Sequence, residues 1–508
     1  MKIYNIKDYI KILKEHNLIV DIYNKNDVND ANIENISYNS NKIKNNTLFI
    51  CKGNNFKVEY LNDAITKGCI CYVSEIKYNN DTMAIIVNDI LKAMSVICNL
   101  YFSNPSSSLN VIGITGTKGK TTTAYYIKSI LDEYAKVNNQ KDTAIISSID
   151  TYDGVSTYTS SLTTPLPLEL ENVFFNSVSS KVKNVVMEVS SQALKYHRVY
   201  STNFNIGIFL NISEDHISNV EHKDFDDYFN SKLKIFEKSN IGIVNLDSNF
   251  SDKIYKKAKE NCSRVYTYSL KNKTADVYAY DIKKDHLYTI FKVHTKNFDK
   301  EIILSMPGLF NVENAICAIL VADIMNIPYE CIYNGLKVAK ASGRMEVYST
   351  SDRKVVTIID YAHNKLSFSK VFETAQKEYK NRKIICVFGS VGSKAVQRRK
   401  DLGNIAGRNS DYIFLTADDP GYEKVLDICD EIAKYVKNYT DNYEIIEDRE
   451  EAVKKAFKMA FDMNDDSIIL LLGKGREKTQ KAGNKIVEYK SDVEIAKEMI
   501  QKYNKVRA

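Results

Sequence analysis

Gly113-Ile-Thr-Gly-Thr-Lys-Gly-Lys-Thr-Thr-Thr123 stands between an apolar run, Leu109 to Ile114, and a helix-like segment, Thr121 to Tyr134. Strand, glycine-rich turn and helix in that order read as a phosphate-binding loop. Gly116 and Gly119 let the backbone turn tightly and aim N–H groups at phosphate oxygens. Lys120 adds a point charge for the β- and γ-phosphates, and Thr121 offers a hydroxyl to Mg²⁺. The expected nucleotide-binding set is Gly116, Thr117, Lys118, Gly119, Lys120, Thr121 and Thr122, for ATP or GTP. The spacing departs from G-x4-G-K-[ST], because Ile114 stands where the first glycine belongs and Gly113 comes one residue too early. A glycine turn that ends a strand and binds nothing is the alternative.

The 508 residues, 44% hydrophobic and 26% charged, describe an ordinary soluble globular chain of about three domains. No run approaches the roughly 18 apolar residues of a membrane span. The start, Met1-Lys-Ile-Tyr-Asn-Ile-Lys, lacks a signal peptide's apolar core, so a cytoplasmic protein without membrane insertion is expected. Nine cysteines include no C-x2-C pair, which points to reduced thiols rather than a disulfide framework or zinc site. A net charge of +6 is small for this length and does not suggest a nucleic-acid partner.

Along the chain, short strand-like runs such as Asn46 to Cys51 and Gly68 to Val73 give the first hundred residues the look of a small α/β domain. The Ser/Pro cluster Phe102-Ser-Asn-Pro-Ser-Ser-Ser108 marks a first boundary, and Ala341-Ser-Gly343 a second. Between them, β-rich runs recur at Thr143 to Ser147, Lys183 to Val189, Phe204 to Ile212 and Ile241 to Leu246. Beyond the second, Val355 to Ile359, Ile384 to Phe388, Tyr412 to Thr416 and Ile468 to Leu472 alternate with helical stretches. The expected organisation is therefore α/β with three domains, over residues 1–105, 106–341 and 342–508.

Ligands of open α/β sheets bind outside the carboxyl ends of the strands. There the chain is polar and acidic: Glu188-Val-Ser190-Ser191, Asn211-Ile-Ser-Glu-Asp215-His216, Asp360-Tyr-Ala-His363 and Asp418-Asp419-Pro420. Glu188 and His216 are candidate ligands of a metal near the nucleotide phosphates. A helix cap or a solvated charge is the plainer role for any one of them.

Taken together, Thr115-Gly-Thr-Lys-Gly-Lys-Thr121, Thr163-Thr-Pro165, Met187-Glu-Val-Ser-Ser191, Asp215-His216, Asn311-Val-Glu-Asn-Ala315, Gly343-Arg-Met-Glu346, Asp360-Tyr-Ala-His363 and Gly473-Lys-Gly-Arg-Glu477 resemble the Mur ligases, over nearly the whole chain. That family's nucleotide loop has the same glycine spacing. The resemblance implies a domain for the UDP substrate, a central P-loop ATPase-like domain and a Rossmann-like domain for the amino acid. It implies ATP-driven amide-bond formation through an acyl phosphate, with an amino acid joined to UDP-N-acetylmuramoyl-L-Ala-D-Glu by a monomeric enzyme. Lys120, Glu188, His216 and Lys232 would be catalytic, with two Mg²⁺ ions held by Thr121, Glu188, His216 and a carbamylated Lys232. Lys234, two residues further on, is a control on the same helix. Asn314 would meet adenine, and Arg344 and Asp360 would complete the ATP site. Ser40, Thr163, Thr164, Ser190 and Arg198 would hold the UDP substrate.

For the acceptor, the resemblance points to Arg399, Asp418, Asp419, Gly473 and Glu477. Asp418-Asp-Pro-Gly421 departs from the Asp-Asn-Pro-Arg of relatives that add meso-diaminopimelate, whose arginine can grip a distal carboxylate bidentately. Gly421 cannot do so, and the extra acid Asp419 suits an acceptor ending in an amine, such as lysine or ornithine. Tyr196, Asn39 and Asn41 are further departures, while His222, Cys317 and Tyr422 receive no role. Addition of meso-diaminopimelate, a folylpolyglutamate-synthetase-like ligase and a catalytically silent nucleotide-binding scaffold are the competing readings.

Overall fold

The computed structural model describes residues 2–24, 30–53, 55–214, 221–285, 288–341, 343–392 and 396–507. The chain forms two compact units, one of residues 1–278, 293–299 and 316–335, the other of 279–292, 300–315 and 336–508.

The first unit holds two main sheets and a two-stranded pair, Tyr4–Asn5 with Asn32–Ile33. The smaller runs Ile19–Tyr23, Met83–Val87, Cys69–Ser74, Thr47–Ile50, Asn35–Ser37, parallel except for the antiparallel pair between Ile19–Tyr23 and Met83–Val87. Leu48, Ile50, Cys71, Val73, Ile85 and Val87 are fully buried or nearly so against the amphipathic helices Ile6–Glu15 and Ile90–Tyr101. In the larger sheet Ala144–Ile146, Asn184–Glu188, Asn110–Thr115, Phe204–Phe209, Ser239–Asn245 and Arg264–Ser269 lie side by side, all parallel. These strands read as nearly unbroken Val/Ile runs because helices cover both faces of a parallel sheet and no side-chain row is left to water.

Gly113, Gly207 and Gly242 pair across three neighbouring strands. A Cβ on Gly113 would fall 2.7 Å from the Phe204 ring, and one on Gly207 would fall 1.9 Å from Ser239 Oγ. The bare row is therefore filled, at Gly113 and Gly207, by the side chains that open the neighbouring strands, and it fixes which residues of the three strands stand level.

In the second unit the sheet order is Glu346–Ser349, Val355–Asp360, Ser467–Leu472, Lys383–Phe388, Tyr412–Leu415, Tyr443–Ile445, parallel except at its first strand. Ser467–Leu472, six residues all buried, is inserted between two strands that are consecutive in the chain. That arrangement makes a switch point, and the residues following Asp360, Leu415 and Leu472 leave the sheet at one edge. A two-stranded hairpin, Thr479–Ala482 with Lys485–Glu488, follows.

The runs expected from the sequence fall within a residue or two of these strands, except Phe204 to Ile212, which overruns Phe204–Phe209 by three. Beyond the first hundred residues, strands not anticipated were Asp150–Tyr152 with Thr157–Thr159, Arg264–Ser269, Val277–Asp285, Tyr288–His294, Asp299–Leu304, Glu346–Ser349, Tyr443–Ile445 and the late hairpin. Several are only three or four residues long, and polar faces hide the alternation of the rest. Among the described residues all nine cysteines are free, and no helix is long and apolar enough to cross a membrane.

Candidate active site

Strand Asn110–Thr115 ends at the glycine turn, where Gly116 (φ 150°) and Gly119 (φ 86°) take backbone angles that side chains disfavour. Gly119 caps the helix Lys120–Val137, which leaves the first backbone N–H groups of that helix facing the turn. The neighbouring strand end holds the loop in place. Thr117 N–H donates to Asn211 O at 3.0 Å, Lys118 N–H to Asn211 Oδ1 at 2.9 Å, and Asn211 Nδ2 returns a bond to Lys118 O at 3.1 Å. Thr117 Oγ1 accepts from Ser213 N–H and lies 3.1 Å from the Tyr228 hydroxyl. Lys120 Nζ folds over the turn, 2.9 Å from Gly116 O and 3.3 Å from Thr117 O.

Glu188, the last residue of the adjacent strand, is 1% exposed, and its Oε1 accepts Ser148 N–H at 2.8 Å. The Ser148 and Thr121 hydroxyls are 3.1 Å apart. A buried carboxylate and two hydroxyls thus gather beside the loop, a hard oxygen set that fits Mg²⁺, which takes one or two carboxylates and keeps several waters. No trio of His, Cys, Asp or Glu side chains poised for a metal occurs among the described residues, and His216 lies outside them. Lys232, only 2% exposed, ends the helix Phe225–Leu233 beneath the loop. Its Nζ donates to Gly116 O at 2.9 Å and sits 4.7 Å from the centre of the Tyr228 ring. Lys234, by contrast, is half-buried.

Thr164, fully buried, donates its hydroxyl to Glu188 O at 2.9 Å and accepts Ser190 N–H at 3.0 Å. Ser190 caps the short helix Ser191–Lys195 by accepting Ala193 N–H. Arg198 Nη1 donates to Thr164 O at 3.0 Å. Ser190 and Arg198 therefore converge on Thr164, which is itself tied to the Glu188 carbonyl, with half-buried Thr163 next in the chain. Ser40 stands elsewhere in the unit, after the edge strand Asn35–Ser37, in a turn whose carbonyl takes Lys67 Nζ at 3.2 Å.

In the second unit Asp360 ends its strand with Oδ2 accepting Met345 N–H at 2.8 Å, while Tyr361 N–H reaches Gly343 O at 3.0 Å. Those bonds and the Glu346–Arg476 pair, at 2.8 Å, hold the segment carrying Arg344, whose guanidinium lies 4.5 Å from the Tyr361 ring centre. Asn314, 6% exposed on the helix Leu309–Ile324, donates to Asn311 Oδ1 at 3.5 Å.

Of the residues expected to meet the acceptor, Asp419 and Glu477 flank Lys474, a side chain 1% exposed, whose ammonium lies 2.8 Å from Asp419 Oδ1 and 2.5 Å from Glu477 Oε2. Asp418 lies alongside. Burial pushes its pKa up from 3.8 to about 6, Lys474 and Arg449 pull it down, and Asp419 and Glu477 add to the rise. Gly473, at φ 106°, has room for no Cβ because Asp418 Oδ2 would lie 2.8 Å away. Arg399, 3% exposed, is gripped by Glu431 at 2.5 Å and Glu423 at 2.8 Å, so its charge is balanced within the fold. Gly421 has φ 58° and donates its N–H to Lys481 O at 2.9 Å, tying the turn to the hairpin.

Several supporting residues received no role from the sequence. Asn211 and Lys474 lie within quoted strand-end and motif stretches without a function assigned to them, Ser148 carries only a polar residue's ordinary appearance, and Arg449 sits in a charged helix far from every motif. Arg449 is buried, clamps Asp492 through Nε at 2.8 Å and Nη2 at 2.7 Å, and donates to Ala417 O at 3.1 Å and Leu472 O at 2.9 Å. It thereby fixes the backbone immediately before Asp418 and Gly473. Only a strand order that brings Leu415 and Leu472 to one edge makes that role readable.

Family models match as Mur ligase middle domain over residues 114–322 and as Mur ligase, glutamate ligase domain over residues 343–475. A UDP-N-acetylmuramyl-tripeptide synthetase of Ligilactobacillus salivarius is 35% identical over 97% of this chain and 98% of its own. A UDP-N-acetylmuramoyl-L-alanyl-D-glutamate–L-lysine ligase of Streptococcus agalactiae is 36% identical over 98% and 99%. Among solved structures, a UDP-N-acetylmuramoyl-L-alanyl-D-glutamate–2,6-diaminopimelate ligase superposes with a TM-score of 0.69 at 21% identity, over 99% of each chain.

Removing one member of a buried ion pair strands the other's charge, at a cost of about 3–5 kcal/mol. Arg449→Met is expected to lower the stability of the second unit by about that amount, read as a shift of its unfolding transition in denaturant.

Proposed function

The chain belongs to the Mur ligases, and from that premise we propose that it joins L-lysine to the D-glutamate γ-carboxylate of UDP-N-acetylmuramoyl-L-Ala-D-Glu, consuming ATP. The observation that carries this is the convergence, at one sheet edge, of a phosphate loop, buried Glu188, Lys232 and the Thr164–Ser190–Arg198 group. The full-length likeness to ligases named for that reaction supports it. Residues 1–105 would receive the UDP moiety with Ser40, 106–341 the nucleotide, and 342–508 the amino acid, in a cytoplasmic monomer.

The difficulty of the reaction is electrostatic, because a carboxylate must approach a phosphoryl group that is itself anionic. The carboxylate oxygen attacks the γ-phosphorus, ADP leaves, and the acceptor amine then displaces phosphate from the acyl carbon. Loop N–H groups and Lys120 neutralise the phosphate oxygens. Thr164, Ser190 and Arg198, with Thr163, orient the dipeptide portion beside them. Thr121 and Glu188 would hold one Mg²⁺, and His216 with a carbamate on Lys232 a second. Mg²⁺, when bound, supplies charge neutralisation between nucleophile and phosphoryl oxygens. Asn314, Arg344 and Asp360 would complete the nucleotide contacts.

Lys232 is the lysine placed for carbamylation, 2% exposed and beside the loop at Gly116, where its neutral amine would add to the carbon of CO₂ with loss of a proton. Protein equilibrated with ¹³C-bicarbonate should show a carbamate carbon resonance that Lys232→Ala lacks and Lys234→Ala keeps. The same resonance in Lys232→Ala would exclude Lys232 as its source.

For the acceptor, three carboxylates, Asp418, Asp419 and Glu477, stand around the single ammonium of Lys474. That surplus of negative charge suits a side chain ending in an amine. At Gly421, a diaminopimelate-gripping arginine would have to adopt a left-handed backbone. Phosphate release and product mass, measured with ATP, Mg²⁺, the UDP-dipeptide and each of lysine, ornithine and meso-diaminopimelate, test the assignment. Turnover with lysine is expected, and a diaminopimelate product alone would overturn the choice of acceptor.

Burial pushes the Asp418 pKa up to about 6 from the ordinary 3.8. Because the ionised form attracts the amine, kcat/KM for lysine should fall as pH drops through about 6, and Asp418→Asn should lose that acidic limb.

A further inference from the structure

His222 is fully buried between two elements that carry different parts of the site. Its Nε2 lies 2.9 Å from Ser191 Oγ, at the start of the turn that presents Ser190 and leads to Arg198. Its Nδ1 lies 3.2 Å from Asp227 Oδ2, in the first turn of the helix that ends with Lys232. A second tie runs parallel to the imidazole: Lys195 Nζ donates to Asp227 Oδ2 at 2.6 Å and to Glu221 O at 3.0 Å. Edge-on to the His222 ring, at 5.2 Å, is Tyr228, whose hydroxyl meets Thr117 of the phosphate loop.

Serine, histidine and aspartate in that order have the connectivity of a nucleophilic triad. The chemistry of a triad needs an exposed serine oxygen, and Ser191 is 6% exposed. What remains is geometry. Asp227 accepts only, so Nδ1 carries the proton, and burial, which lowers the pKa of the imidazole, keeps Nε2 free to accept the Ser191 hydroxyl.

We propose that His222 is a positioning residue that sets the turn 190–198 in register with the lysine-bearing helix, and so keeps the peptide contacts at one spacing from the phosphate loop. The proposal rests on the ligase reading, in which that turn holds the UDP-dipeptide. Its effect would be on productive placement of the carboxylate and not on nucleotide affinity, because Asn211 holds the loop's backbone and the helix bearing Tyr228 and Lys232 is capped by Asp224 without His222.

The test compares Ser191→Ala, His222→Gln and the double variant. Misplacement by about an ångström costs on the order of a hundredfold. Each single variant should lose roughly that factor in kcat/KM for the UDP-dipeptide, with the Kd of fluorescent ADP unchanged. The double variant should be no worse than the poorer single one, since both cut the same link. Ser191→Ala removes one oxygen and carries the test if His222→Gln fails to fold. Single variants within about twofold of wild type, a parallel loss of ADP affinity, or multiplicative losses in the double variant would overturn the proposal. Wild-type turnover reports on the ligase reading and the variant-to-wild-type ratios on His222, so the two failures are distinct.

Discussion

Parallel pairing in a fixed register is the constraint on which the first unit depends. Ile114 stands level with Glu188 on one side, and Thr115 with Phe209 on the other. Because the three strands run the same way, their ends deliver the phosphate loop, a buried carboxylate and Asn211 to one edge, though none of them are neighbours in the chain. A slip of one residue would turn Glu188 to the opposite face of the sheet. The row Gly113, Gly207, Gly242 resists such a slip, since Phe204 and Ser239 already fill the space a side chain there would need.

Charge, not apolar packing, organises the corresponding edge of the second unit. Arg449 and Asp492 are removed from water together, and the guanidinium spends its remaining donors on the carbonyls of Ala417 and Leu472. Two loops from different strands are thereby joined through one cation. Lys474 repeats the device closer to the surface, bridging Asp419 and Glu477. Arg399 is charge-balanced by Glu423 and Glu431, so a substrate carboxylate at that guanidinium would compete with two resident ones.

The two edges differ in what they offer a ligand. At the first, backbone N–H groups and lysines present positive potential to anions, with Glu188 set behind them. At the second, acidic groups exceed the cations among them, and Asp418 responds with a raised pKa. One chain thus carries one edge suited to phosphates and carboxylates and another suited to an amine.

The sequence by itself determined the phosphate loop, the succession of strands and helices, and the polar residues following each strand. Those are local properties: glycine's freedom at Gly116 and Gly119, apolar periodicity, and the chemistry of Lys120 and Thr121. It also carried Lys232 and the Asp418–Gly421 departure, through resemblance to a family. Only the tertiary structure decided that Asn211 holds the loop, that Ser148 joins Thr121 to Glu188, that Lys474 sits among three acids, and that Arg449 and His222 are buried connectors. The reason is physical: a hydrogen bond or ion pair between segments far apart in the chain leaves no periodicity in either, and it exists only once sheet register has brought the two together.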